Sequence, residues 1–284
     1  MARPANTSGK LSYYMKKKLE RQAAAAVKPA KQMSDAEIRK QLHERFSALD
    51  ELTEMCISGN ARSLICSGPG GVGKSYSVEK RVAAWDPNKT KHTIVKGFIR
   101  ATGLYKLAYR HRQAGEVLIF DDADSVFFDG DSLNLLKSMC DTTEGRFLMW
   151  GAETSMEDDD GEKLPTSFEF KGTVIFITNL DFDKLIASGS KIATHLEAMV
   201  SRSHYVDMAM NTKRHYLIRI EQVIRQGMLD YLNESEKNDV IEFIDKFQDS
   251  LRELSLRMAI KLGNLRKGNT NWERIAKITC CKNI

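Results

Sequence analysis

The run Gly68-Pro69-Gly70-Gly71-Val72-Gly73-Lys74-Ser75 constrains the fold more than any other feature of this chain. It fits G-x-x-x-x-G-K-[ST] at every fixed position. The apolar stretch Leu64-Ile65-Cys66 leads in and a helical stretch from Lys74 to Ala84 leads out, so the motif sits on a strand–turn–helix unit. Its glycines let backbone N–H groups turn inward around phosphate oxygens with no Cβ in the way. The helix that follows aims its N-terminus at the anion. Lys74 is expected to reach the β- and γ-phosphates, and the Ser75 hydroxyl to ligate Mg²⁺. Gly68 through Ser75, with Tyr76 next in the chain, make up the expected nucleotide contacts, ATP with Mg²⁺.

The surrounding pattern agrees with an α/β domain. Apolar strand-like runs at Ser63–Ser67, Thr93–Lys96, Val117–Phe120, Val174–Thr178 and His204–Met208 alternate with helical stretches. That alternation implies a parallel five-stranded sheet between helices. A lead-in helix begins at Ser34, with Glu37 completing a capping box. Beyond Met210 the strand signals stop, and Tyr216–Gln226, Asp239–Phe247, Leu254–Leu265 and Trp272–Thr279 read as helices. The expected organisation is an arm over residues 1–33, an α/β nucleotide domain over 34–209 and a helical domain over 210–284.

The second chemical element is Val117-Leu118-Ile119-Phe120-Asp121-Asp122. Two carboxylates emerge at the C-terminal end of a buried strand, where open parallel sheets bind ligands. Asp121 is expected to hold Mg²⁺, and Asp122 to orient or deprotonate the attacking water.

With both elements in place, the chain resembles the AAA+ ATPases over about 230 residues, from Ser34 to Asn271 or beyond. It looks most like the small single-module members often encoded by bacteriophages. The resemblance implies further roles. Asn179, after the strand Val174–Thr178, matches sensor 1. Arg202, in Val200-Ser201-Arg202-Ser203, resembles the arginine finger of clamp loaders, which reaches the nucleotide of a neighbouring subunit. Arg257, in Leu254-Ser255-Leu256-Arg257, resembles sensor 2, with Arg266 as runner-up. The helical domain becomes a lid. A finger of this kind implies a homo-oligomer, a ring with a hexamer among the candidates.

The chain departs from the family at two places. The family usually carries Glu where Asp122 stands, one methylene longer, so Asp124 is a second candidate for the water-orienting role. The hairpin-like insertion expected at about 147–171 has an acidic tip, Met156-Glu157-Asp158-Asp159-Asp160-Gly161-Glu162, which repels phosphates. In ring-forming members the segment after the second strand faces the channel, which makes Phe98 or Tyr105 a candidate for gripping a threaded substrate. The competing reading puts Tyr105 in the core.

Charge and cysteines bound the rest. Residues 1–32 carry eight Lys and Arg against Glu20 alone, a charge of +7; with +5 for the whole chain, the remainder is −2. A basic arm with Tyr13 and Tyr14 suits nucleic-acid phosphates and bases, or is simply a solvated tail. Cys56, Cys66, Cys140, Cys280 and Cys281 show no metal-ligand or disulfide spacing. No apolar run spans a membrane and no secretory signal is present, so a cytoplasmic location is expected, the host cytoplasm if a phage encodes the chain. The expected function is Mg²⁺-ATP hydrolysis coupled to macromolecular remodelling in DNA metabolism, as a loader or a replication or packaging accessory. The alternatives are a protein unfoldase or chaperone and a slow nucleotide switch.

Overall fold

The computed structural model describes residues 33–151, 156–158 and 160–282. The basic arm, residues 1–32 with Tyr13 and Tyr14, lies outside the described residues, as does Asp159 of the acidic tip. The chain divides into two units, one through Ile38 and one over Arg39–Ile284. In the first unit Ser34 and Glu37 make the expected reciprocal cap. Glu37 N–H donates to Ser34 Oγ at 3.3 Å and Ser34 N–H to Glu37 Oε2 at 2.8 Å. This cap opens helix α1 (Asp35–Ile57).

The second unit is built on a parallel sheet. Its strands are β1 (Ser63–Ser67), β2 (His92–Lys96), β3 (Val117–Asp121), β6 (Thr173–Thr178) and β7 (His204–Asp207), in the order β2-β3-β6-β1-β7. Every residue of β1, β3 and β6 is buried, because helices cover both faces and a parallel sheet leaves no wet side. Side chains alternate between the two faces. Ile65, Leu118, Phe120, Val174 and Phe176 enter one core, with helices α3 (Ala101–Arg110), α4 (Gly130–Met139) and α6 (Ala193–Arg202). Leu64, Cys66, Val117, Ile119, Ile175 and Ile177 enter the other, with Phe46 and Leu49 of α1 and Val78 and Val82 of α2 (Lys74–Trp85). The expected parallel five-stranded sheet between helices, followed by further helices, is therefore present.

Parallel register brings the strand ends to one edge. Lys96 pairs with Asp121, Asp121 with Ile177, and Ser67 with both Thr178 and Asp207. The loops after β1, β3 and β6 therefore open at the same side. Two short antiparallel strands, β4 (Phe147–Met149) and β5 (Ser167–Glu169), form a separate hairpin. Near its tip the Asp158 carboxylate accepts the N–H groups of Asp160 and Glu162 at 3.0 and 2.9 Å.

The C-terminal helices are α7 (Lys213–Val223), α8 (Glu234–Lys246), α9 (Leu256–Gly268) and α10 (Trp272–Cys280). They enclose a core of their own, centred on Ile224, Val240, Ala259, Leu262 and Ala276. Helix α8 begins five residues earlier than its apolar periodicity predicts. Asn233 and Glu236 form a capping box there, and the polar first turn carries no periodic signal. The short helix α5 (Phe182–Ala187) completes the set. All five cysteines are buried. Burial pushes the Cys66 thiol up to about 12, as expected of a small core residue. Among the described residues no helix is long and apolar enough to cross a membrane.

Candidate functional site

The loop between β1 and α2 wraps around its own lysine. Lys74 Nζ donates to Gly68 O at 2.7 Å, Pro69 O at 2.8 Å and Asn179 Oδ1 at 2.9 Å. Gly73 at the start of α2 has φ +104°, a conformation that glycine adopts without strain. Burial lowers the Lys74 pKa from its ordinary value, and the carboxylates of Asp122 and Asp121 oppose that shift. Two loop carbonyls and the Asn179 amide oxygen thus hold the Lys74 amine in a mostly buried seat.

The two carboxylates at the end of β3 have different surroundings. Asp121 is 4% exposed. Its Oδ1 accepts the Ser75 hydroxyl at 2.7 Å, and its Oδ2 lies 3.2 Å from Lys96 Nζ. Asp122 has φ +53°, and its Oδ1 accepts from Asn179 Nδ2 at 2.8 Å. Asn179 therefore bridges Lys74 and Asp122 with its two amide ends. Asp124 accepts from Thr178 Oγ1 at 2.6 Å. Burial raises its pKa above the usual carboxylate value.

The donor set suits a hard divalent cation. One hydroxyl and one carboxylate face each other, and Mg²⁺ characteristically takes one or two protein oxygens and completes its shell with phosphates and water. Among the described residues no cluster of three or more His, Cys, Asp or Glu side chains could hold a metal ion.

The C-terminal helices close over the loop. Leu256 N–H donates to Gly71 O at 2.7 Å. A Cβ on Gly71 (φ +75°) would lie 2.6 Å from Ser255 Cβ. Arg257 Nη1 and Asn179 Oδ1 both come within 3.6 Å of where a Cβ on Gly70 would sit, which sets Arg257 over the loop beside Asn179. Arg266 does not reach it. Its Nε donates to Asp239 at 2.8 Å, inside the helical layer.

Arg202 stands elsewhere. Its carbonyl accepts from Ser63 Oγ at 3.3 Å, at the start of β1, whereas the cradle follows the end of β1. Five residues of strand, on the order of 15 Å, separate the two. Its side chain donates to Ala198 O at 3.0 Å and lies 3.7 Å from Asp141. Arg202 is thus not brought together with Lys74, Asp122 and Asn179 of its own chain.

Three groups were not singled out from sequence. Lys96 pairs with both Asp121 and Glu79, which hold its ammonium above the ordinary value, Glu79 more strongly. The signal was available, since Lys96 and Asp121 end neighbouring strands. Arg219 on α7 donates from Nε to Val72 O at 3.2 Å and lies 3.3 Å above the Phe46 ring. Burial brings it down to about 10, so it remains a cation at neutral pH. Ser255 forms the contact with Gly71. Neither residue stands out from an ordinary helix residue in sequence. Of the two aromatic candidates for gripping a substrate, Tyr105 is 0% exposed and belongs to the core, with its hydroxyl on Pro165 O, while Phe98 is 73% exposed.

Lys74, Ser75, Asp122, Asn179, Arg219 and Arg257 line a cleft of about 1170 Å³ that also reaches Tyr76, Gln222 and Ile260.

No protein-family model matches the chain. Its sequence is 37% identical over 245 residues to the uncharacterized 36.7 kDa protein of the nrdC-mobD intergenic region of Enterobacteria phage T4, covering 84% of this chain and 74% of that one. Solved structures similar to it include the RuvB Holliday junction branch migration motor of Thermotoga maritima, at 13% identity and TM-score 0.47 over 87% of this chain and 69% of that one. Another is ORC2 of Aeropyrum pernix, at 12% identity and TM-score 0.46 over 85% and 68%.

Proposed function

The chain belongs to the same family as the phage T4 36.7 kDa protein, and from that premise we propose that it is a Mg²⁺-dependent ATPase whose turnover drives the remodelling of a macromolecule. One observation carries the reading. Asn179 joins Lys74 to Asp122, while Ser75 joins the same loop to Asp121, so phosphate, metal and water-orienting groups meet at one end of one cleft.

Each group then has a task. Loop N–H groups and Lys74 hold the phosphates. Ser75 and Asp121 would hold Mg²⁺, which would supply charge stabilisation to the phosphates. Asp122, at the cleft and fixed by Asn179, accepts the proton of the attacking water. Asp124 is engaged by Thr178 and is the weaker candidate. Arg257 reports the γ-phosphate to the helical layer, and Arg202 of one subunit completes the site of another in a ring.

DNA metabolism is the work that the basic arm supports, through its +7 charge over residues 1–32. Phe98, exposed after β2, favours the second reading, threading of a protein. The test is ATP turnover by the full chain, alone and with single-stranded DNA, duplex DNA or an unfolded protein. Turnover that vanishes in Lys74→Ala is expected, with stimulation by DNA. A rate unchanged by DNA but raised by unfolded protein moves the function to protein remodelling. A rate at background in every mixture removes the hydrolase.

A further inference from the structure

The residues on either side of Asn179 are pinned by side chains that do not line the cleft. Thr178, fully buried at the end of β6, donates its hydroxyl to Asp124 Oδ1 at 2.6 Å. The same hydroxyl accepts the Leu180 N–H at 3.0 Å, which closes a turn around Asn179. Leu180 O in turn accepts the Ser67 hydroxyl at 2.6 Å, and Thr178 O accepts the Gly68 N–H at 3.2 Å. Ser67 and Gly68 lead directly into the phosphate loop. The segment at the end of β3 thus grips the end of β6 at two points, Asp124 on Thr178 and Asp122 on Asn179. Asp122 and Asn179 line the cleft, whereas Asp124, Thr178 and Ser67 do not.

A buried hydroxyl that donates and accepts at once fixes the backbone around it. Asn179 presents its amide oxygen to Lys74 and its amide nitrogen to Asp122. A misplacement of about 1 Å at such a place costs up to about 10²-fold in rate. We propose that Asp124 and Thr178 are positioning residues for hydrolysis: their bond sets the backbone at Asn179, and so the amide that orders Asp122. Asp124 then acts through Asn179 and takes no proton from water. This rests on the reading of the cleft as an ATP-hydrolysing site. The role asks Asp124 only for an acceptor, which Asn supplies and Ala does not. At position 178, Ser keeps the hydroxyl, and Val keeps the volume without it.

The test uses the full chain with Mg²⁺ and ATP, reading kcat from phosphate release and ATP affinity from titration calorimetry. Asp124→Ala and Thr178→Val are each expected to lose about 10- to 100-fold in kcat, with affinity within about twofold of wild type, which also shows them to be folded. Asp124→Asn and Thr178→Ser should recover most of that loss. In an Asn179→Ala background, Asp124→Ala should lower kcat no further, because the group it positions is gone. Full turnover in Asp124→Ala or Thr178→Val overturns the proposal, as does a further loss of the same size in the Asn179→Ala background. A loss in Asp124→Asn as deep as in Asp124→Ala makes Asp124 the base itself and overturns the proposal too. So does a loss of affinity that matches the loss of kcat, the mark of a merely structural bond. Each of these leaves the ATPase reading standing. A wild type without turnover removes that reading, and the proposal with it.

Discussion

At the residue scale, the unexpected aspartate after β3 has a backbone explanation. Asp122 sits at φ +53°, in the left-handed region that Asn and Asp tolerate better than longer side chains. The shorter side chain still reaches the site, because Asn179 meets its Oδ1 at 2.8 Å. Two variants separate reach from strain. Asp122→Asn keeps the acceptor and the backbone preference but lacks the basic oxygen. Its ATP turnover should fall by about 10²-fold or more, with nucleotide affinity and unfolding midpoint close to wild type. Asp122→Glu should lose about 1 kcal/mol of stability in urea unfolding, and any turnover it keeps reports whether the longer arm finds the water. Full activity in Asp122→Asn would shift the role to Asp124. Much of this site was legible from one strand end and one glycine loop, because phosphate chemistry fixes residue types at fixed spacings. Arg219 and Gln222 were not, since a helix face becomes part of a cleft only through the packing of α7 against Phe46 and the loop.

At the element scale, the loop and the first C-terminal turns behave as one piece. Leu256 N–H on Gly71 O and Ser255 against Gly71 Cα fix where α9 starts. Gly71→Ala forces a Cβ into Ser255 at a positive φ, so it should weaken ATP binding tenfold or more, measured by calorimetry. Ser255→Gly opens the space and sacrifices only a helix cap, worth a few tenths of a kcal/mol against glycine. Adding Ser255→Gly to Gly71→Ala should therefore recover part of the affinity; no recovery would make the defect one of loop strain alone. The turn into β2 is held differently. Asp86 accepts from Thr90 N–H, Lys91 N–H and His92 Nδ1 at 3.1, 2.7 and 2.8 Å. Burial pushes its pKa up, but these bonds outweigh it, and the carboxyl titrates well below the usual aspartate range. A depressed folded pKa means stability that is present above the unfolded value, near 4, and lost as pH falls below it. Urea midpoints of wild type and Asp86→Asn should thus differ at pH 7 and converge on acidification below pH 4.

At the scale of the whole molecule, the parallel sheet has two ends with different contents. Its C-terminal edge carries Lys74, Asp121, Asp122 and Asn179, and its N-terminal edge carries Arg202 beside Ser63 and Ser203. Strand order and motif positions made this polarity readable in advance, since β1 must run into the glycine loop and β7 must begin after α6. A single chain cannot bring its own Arg202 to its own phosphates without reversing the sheet. If Arg202 serves catalysis, it serves a neighbouring copy, with its guanidinium released from Ala198 O and Asp141 to meet transition-state charge. Arg202→Ala alone should cut turnover by 10²-fold or more, as for other arginines that complete phosphoryl-transfer sites, while leaving ATP affinity within about twofold. Subunits with Lys74→Ala bind poorly but still present Arg202. Mixing them with Arg202→Ala subunits should place an intact cradle against an intact finger at a fraction of the interfaces. Turnover of the mixture is then expected to exceed that of either variant alone and to peak near equal proportions. A mixture no more active than its parts would return Arg202 to a purely structural place between α6 and β1.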